Sequence, residues 1–280
     1  MGGSAMLTAR ILGGDGVRQS AKRGSNAGEP NPRLDSAGGT GLTVWALEPY
    51  LGGSHKAFLE GLSSQSAHTF SLFTLPGRHW KWRMHGAALS LGRSAARCYL
   101  ETGARPQVLF ASDMLDLPVF VAVSVPTLGR VPTIAYFHEN QLTYPLPPGV
   151  ERDLSYGFKN LIGAVIADTV LFNSEFHRQD FLRAVSELLD AMPDEIPHGV
   201  AEEIEMRSRV LPVGCDLGRL DQHRALGERD RAAKRWGDPA QGPLVLWNQR
   251  WEYDKAPGDF FDSLYALEAA GIGFRLAMAG

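Results

Sequence analysis

Apolar residues along this chain gather in short runs separated by longer stretches of helical spacing, and the alternation begins only near residue 42. Runs at 42–47, 70–75, 107–111, 131–137, 169–173 and 209–213 read as strands. Several are continuously apolar, as a parallel sheet covered on both faces requires. Between them, Tyr156, Phe158, Leu161, Ile162, Val165 and Ile166 recur at the three- and four-residue spacing of one helix face. Phe181, Leu182, Val185, Leu188 and Leu189 do the same behind Ser174, a candidate N-cap. Strands alternating with helices in this way predict an α/β fold built on a doubly wound sheet.

The pattern also divides the chain. Residues 1–40 are rich in Gly, Ser, Asn and Arg and lack apolar periodicity, which predicts a flexible tail, with a transit-like segment as the alternative. Residues 41–220 form the first, Rossmann-like domain. The polar stretch 221–242, with Gly237, Pro239 and Gly242 near its end, reads as a helix and linker. A strand at 243–248, a helix carrying Phe260, Phe261, Leu264 and Leu267, and a strand at 273–279 then begin a second domain. One strand-helix-strand unit is too little for a core of its own, so that domain is expected to be only begun at Gly280.

Composition narrows the class. The 280 residues are 44% hydrophobic with a formal net charge of −3, enough for one or two ordinary globular domains and unlike a globally basic nucleic-acid binder. No apolar run approaches the roughly 18 residues of a membrane span, and the N-terminus lacks a secretory layout, so a cytoplasmic protein is expected. The two cysteines, Cys98 and Cys215, suggest neither a disulfide framework nor a zinc site.

Candidate chemistry sits where strands end, since open α/β sheets bind ligands at their carboxyl edge. Gly52 and Gly53 follow the first long strand and open a helix, which allows a ligand close to the backbone or simply a tight turn. His138, Glu139 and Asn140 follow the strand ending at Phe137, and Asn173 and Ser174 follow the next. Each allows a substrate contact or a purely local hydrogen bond. Arg250 and Lys255 stand five residues apart just beyond the strand 243–248, suited to a diphosphate or to solvent. The run Arg78-His79-Trp80-Lys81-Trp82-Arg83 interleaves cations with two indoles. That composition suits stacking on bases beside phosphates, or a structural loop.

Taken together, Pro49-Tyr-Leu-Gly-Gly-Ser-His-Lys56, Leu75-Pro-Gly-Arg-His-Trp-Lys-Trp-Arg83, Phe137-His-Glu-Asn-Gln141, Leu171-Phe-Asn-Ser-Glu-Phe176 and Trp247-Asn-Gln-Arg-Trp-Glu-Tyr-Asp-Lys255 resemble the tRNA-queuosine α-mannosyltransferase family. More broadly the chain is similar to family 4 glycosyltransferases of the GT-B fold. The resemblance implies a retaining transfer of mannose from GDP-mannose to the cyclopentene-diol of queuosine in tRNA, with no metal or resident cofactor. It implies that Arg250 and Lys255 hold the donor diphosphate, that Gly52 and Gly53 approach it from the first domain across a cleft, and that His138 faces the transferred sugar. Asn173 and Ser174 fall on the donor side, and Arg78, Trp80, Lys81, Trp82, Arg83, Glu139 and Asn140 on the acceptor side. The family's Glu-x7-Glu segment is absent up to Gly280, so residues 1–280 alone are expected to be inactive. A GT-B enzyme with a non-tRNA acceptor and a non-catalytic tRNA-binding module are the competing readings.

Overall fold

The computed structural model describes residues 9–11, 41–218, 221, 240 and 242–279, which form two compact units. The larger is a six-stranded parallel sheet. Its strands are β2 (Thr43–Leu51), β3 (Thr69–Pro76), β4 (Val108–Ser112), β5 (Thr133–Phe137), β6 (Thr169–Phe172) and β7 (Ser208–Val210), in the order β3-β2-β4-β5-β6-β7. The helices joining them are α1 (Gly53–Gln65), α2 (Trp80–Thr102), α3 (Leu117–Leu128), α4 (Leu154–Ile166), α5 (Glu175–Asp190) and α6 (Val200–Met206).

Side chains of each strand alternate between two cores, which is the two-residue period of a pleated strand. Trp45 and Leu47 of β2, Leu109 and Ala111 of β4, and Ala135 and Phe137 of β5 pack with α2 to α6. Val44 and Ala46, Phe110 and Tyr136 turn the other way onto Phe58 and Leu59 of α1. The reversal from α1 on one face to α2 on the other makes β2 and β4 neighbours whose following connections diverge. That divergence opens a crevice at their carboxyl ends, the usual ligand position in such sheets.

Caps explain several boundaries. Asp116 accepts from the Val119 amide ahead of α3, Asp153 from the Ser155 amide ahead of α4, and Ser174 from the His177 amide ahead of α5. The Asp116 carboxylate also meets Lys159 of α4, tying two helices together. Gly52 and Gly77 solve a different problem. The connections leaving β2 and β3 touch backbone to backbone there, so a Cβ on Gly77 would lie 2.8 Å from the Gly52 Cα.

The smaller unit contains β1 (Ala9–Ile11), β8 (Leu244–Asn248), a 3-10 turn (Tyr253–Lys255), α7 (Pro257–Ala269) and β9 (Arg275–Ala279). Its strands are parallel in the order β1-β9-β8. Residues 9–11 thus supply a third strand from within the segment expected to be a tail, because their backbone pairs with β9 from Leu276 to Met278. The rest of residues 1–40 and nearly all of the expected linker 221–242 lie outside the described residues. Among the described residues no helix is long and apolar enough to cross a membrane.

Candidate active site

Four strand ends of the larger unit bring polar side chains to the crevice. From β2 comes Glu48, 3% exposed, whose Oε1 accepts from the Tyr50 amide and whose Oε2 accepts from His55 Nδ1 at 3.1 Å. His55 stands in the first turn of α1, just after Gly52 and Gly53. From β4 comes Asp113, whose Oδ1 accepts from the His138 amide at 2.9 Å while its buried Oδ2 has no hydrogen-bond partner. From β5 comes His138, and from β6 Asn173, whose amide donates to the His138 carbonyl at 2.7 Å. The backbone of His138 is therefore held on both sides.

Its ring is held as firmly. The His55 ring lies 4.0 Å away between centroids, while Phe58 and Tyr136 meet the ring edge-on at 5.0 and 4.8 Å. Burial, the largest influence, together with His55 and His177, pushes the His138 pKa down to about 3, so this imidazole is neutral at physiological pH. For His55, burial disfavours the charge, but the Glu48 hydrogen bond and the charges of Glu48, Asp113 and Glu139 outweigh it and raise the pKa. Burial likewise lifts the Asp113 carboxyl to about 8, against the pull of His55. The site thus pairs a neutral histidine with a cation-forming one, and keeps a carboxylic acid in reserve. Glu48, His55 and His138 also offer ligand atoms within 4.8 Å of one another, the group among the described residues best suited to a metal ion.

The other expected residues divide. Gly53 has a left-handed φ of +51° and open space where a side chain would be, whereas the bare Cα of Gly52 is used by Gly77. Asn140 is buried and spends its amide on Leu142, Thr143 and their turn, and Glu139 accepts from Gln141. Ser174 serves α5 as its cap, donates to Asn173, and leaves that asparagine facing His177 at 3.2 Å. The Arg78–Arg83 run is a turn and the first turn of α2 rather than a loop throughout, entered through His79 at φ 56°. Trp80 packs on Tyr156 at 5.2 Å, while Trp82 is 72% exposed. Arg78 and Lys81 are exposed, and Arg83 is half-buried.

In the smaller unit, Arg250 follows β8 and pairs with Glu252 at 2.8 Å, and Lys255 pairs with Asp254 at 2.7 Å. Trp247 stacks on Trp251 and meets Phe260 of α7 at a tilt, 4.8 Å between ring centroids, anchoring that connection to α7. Asp113, Glu48 and His55 were the residues that the spacing of single motifs did not bring forward. Glu48 and His55 nonetheless flank the Gly52-Gly53 turn that did, and Asp113 directly follows β4, the strand read at 107–111.

A family model described as tRNA-queuosine alpha-mannosyltransferase N-terminal matches residues 43–215, the stretch that holds the six-stranded sheet and its crevice. The chain belongs to this family. It is 34% identical over 243 residues to the tRNA-queuosine alpha-mannosyltransferase of Drosophila melanogaster, covering 85% of this chain and 61% of that protein. The chain therefore spans about three-fifths of that relative's length. Among solved structures it is similar to trehalose-6-phosphate from E. coli bound with UDP-2-fluoro glucose, at a TM-score of 0.53 and 14% identity, covering 84% of this chain and 64% of that one. The UDP-forming alpha,alpha-trehalose-phosphate synthase from Burkholderia vietnamiensis gives a TM-score of 0.53 at 12% identity, covering 85% and 64%. At those identities the likeness establishes the fold, an α/β arrangement of the GT-B type.

Proposed function

We propose that the protein is a retaining glycosyltransferase that moves mannose from GDP-mannose to queuosine in tRNA, in the cytoplasm and without a resident cofactor. The observation that carries this reading is the coincidence of the family match at residues 43–215 with a polar crevice centred on a neutral, immobilised His138. A retaining transfer on one sugar face needs positioning and charge stabilisation more than a protein nucleophile. A neutral imidazole fits that need, because it can hydrogen-bond a sugar hydroxyl without opposing the positive charge that develops on the sugar ring.

In this reading Gly53 leaves room for the donor. Arg250 and Lys255 stabilise the departing diphosphate, exchanging their present partners Glu252 and Asp254 for phosphate oxygens. Trp82, with Arg78 and Lys81 nearby in sequence, meets the tRNA. The exposure of Trp82 favours this acceptor over a lipid or small metabolite, since an uncovered indole beside cations is suited to an unstacked base. The test is product formation. Protein expressed from the whole gene, given GDP-mannose and queuosine-containing tRNA, should yield mannosylated queuosine detectable by mass spectrometry after nuclease digestion. Unmodified queuosine after prolonged incubation with the whole protein would refute the proposal.

A further inference from the structure

α2 carries a charge pattern that the crevice does not use. From Trp80 to Leu100 it holds Lys81, Arg83, Arg93 and Arg97 and no acid, the first being Glu101. α5 shows the more ordinary arrangement, with Arg178 paired to Glu175 and Glu205, and Arg183 to Asp180 and Glu187. Among the described residues neither Arg93 nor Arg97 makes an ion pair, and both are exposed. Helical geometry aligns them with Trp82. Arg93 follows Trp82 by eleven residues, about three turns, so the two project from one face about 16 Å apart along the axis. Arg97 lies about one turn further on. Leu89 and Leu100 are exposed on the same helix, and the face bears no negative charge. Because α2 joins the parallel strands β3 and β4, it runs back along the sheet from its carboxyl edge. Trp82 therefore stands toward the crevice end of the helix and Arg97 toward the far end.

We propose that this face of α2 is a track for the phosphodiester backbone of tRNA, on which Arg93 and Arg97 contact phosphates while Trp82 meets a base nearer the crevice. The inference rests on the tRNA acceptor proposed above and extends it from the modified nucleoside to the polynucleotide around it. On a chain of net charge −3, two guanidiniums with no acid opposing them form a local positive field that draws in a polyanion. Each presents a planar fork of donors matched to phosphate oxygens. Phosphate contacts fix register and carry no base information, so this face sets where the nucleic acid lies, and the crevice selects what is modified. An anionic membrane is the other polyanion that suits arginines beside exposed leucines. The tryptophan at the crevice end of the same face favours the acceptor.

The test is the salt dependence of tRNA binding by the protein expressed from the whole gene, wild type against the double variant Arg93→Gln/Arg97→Gln. Glutamine keeps the helix propensity and removes the charge. Phosphate contacts release counterions, so the double variant should bind more weakly at low salt, and its plot of log affinity against log salt should flatten by about one unit of slope per arginine. The loss should be the same for tRNA bearing queuosine and for tRNA bearing guanosine. In the transfer reaction KM for tRNA should rise while kcat is unchanged. Arg183→Gln, which removes an exposed charge from α5, should keep the wild-type slope.

An unchanged slope in the double variant, or the same flattening per charge in Arg183→Gln, would overturn the inference. So would binding to phosphatidylserine vesicles that the double variant loses while its tRNA binding stays intact, which would assign the face to a membrane. If the double variant fails to fold, the two single variants decide, each expected to lose about one unit of slope. Wild type that shows the expected slopes yet transfers no mannose would refute the proposed reaction and leave this face standing. Transfer with an unchanged slope would do the reverse.

Discussion

At the scale of single residues, the site depends on which groups are charged. Asp113 holds its proton up to about pH 8 in the folded protein, whereas a carboxyl in the unfolded chain loses it near the ordinary value of 3.8. Between those limits the folded state binds more protons, so stability falls as pH rises. His138 and His177, whose pKa values are lowered, act oppositely below pH 6.5, where the unfolded chain takes up the extra protons. Above 6.5 the Asp113 effect is joined by that of His55, whose raised pKa adds stability lost as pH climbs. Thermal melts should therefore show wild-type Tm declining from pH 6.5 to 8, with Asp113→Asn declining distinctly less; parallel curves would contradict the buried acid. Trp82 allows a separate prediction. Since it is 72% exposed, Trp82→Ala should leave Tm within error but weaken tRNA binding by about 1–3 kcal/mol in a filter-binding titration, the worth of one stacked base. Trp80→Ala should lower Tm as well, because Trp80 packs on Tyr156.

At the scale of elements, apolar periodicity made most of the larger unit legible. The six runs from residue 42 to 213 became β2 to β7, and Ser174 caps α5 as its position before the apolar stripe suggested. Boundaries moved where an apolar run outlasts the ladder: the run 131–137 pairs only from Thr133, because Pro132 has no amide hydrogen to donate. β1 was not legible, since three residues are too few to show a period and are recognised only by their partner β9. The crevice was half legible. Strand ends pointed to His138 and Asn173, but Glu48 and His55 belong together only after a turn folds one onto the other. Gly52 shows a similar limit, as its lack of a side chain serves a neighbouring backbone. Gly77→Ala would place a methyl 2.8 Å from the Gly52 Cα and 2.9 Å from its nitrogen, contacts that backbone alone must relieve. It should destabilise the protein by about 1–3 kcal/mol in urea melts, as overpacking does. Gly86→Ala, with nothing within 4 Å, should be tolerated or mildly stabilising.

At the scale of the molecule, the proposed reading gives the two units different parts of the chemistry. The larger unit contains the family match and the crevice, and the smaller carries the cations assigned to the leaving diphosphate. Fold similarity to trehalose-phosphate synthases supports the architecture, and family membership supports the proposed mannose donor and queuosine acceptor. The most direct measurement is the steady-state rate of mannose transfer from GDP-mannose by the whole-gene protein, for wild type and His138→Ala, on tRNA bearing queuosine and on the same tRNA bearing guanosine. Wild type should modify only the queuosine tRNA, and His138→Ala should reduce kcat by about 10²-fold or more, the scale of losing one positioned polar group at the reacting centre. Equal rates on the two tRNAs, or an undiminished kcat without His138, would contradict a queuosine-directed transfer centred on this crevice.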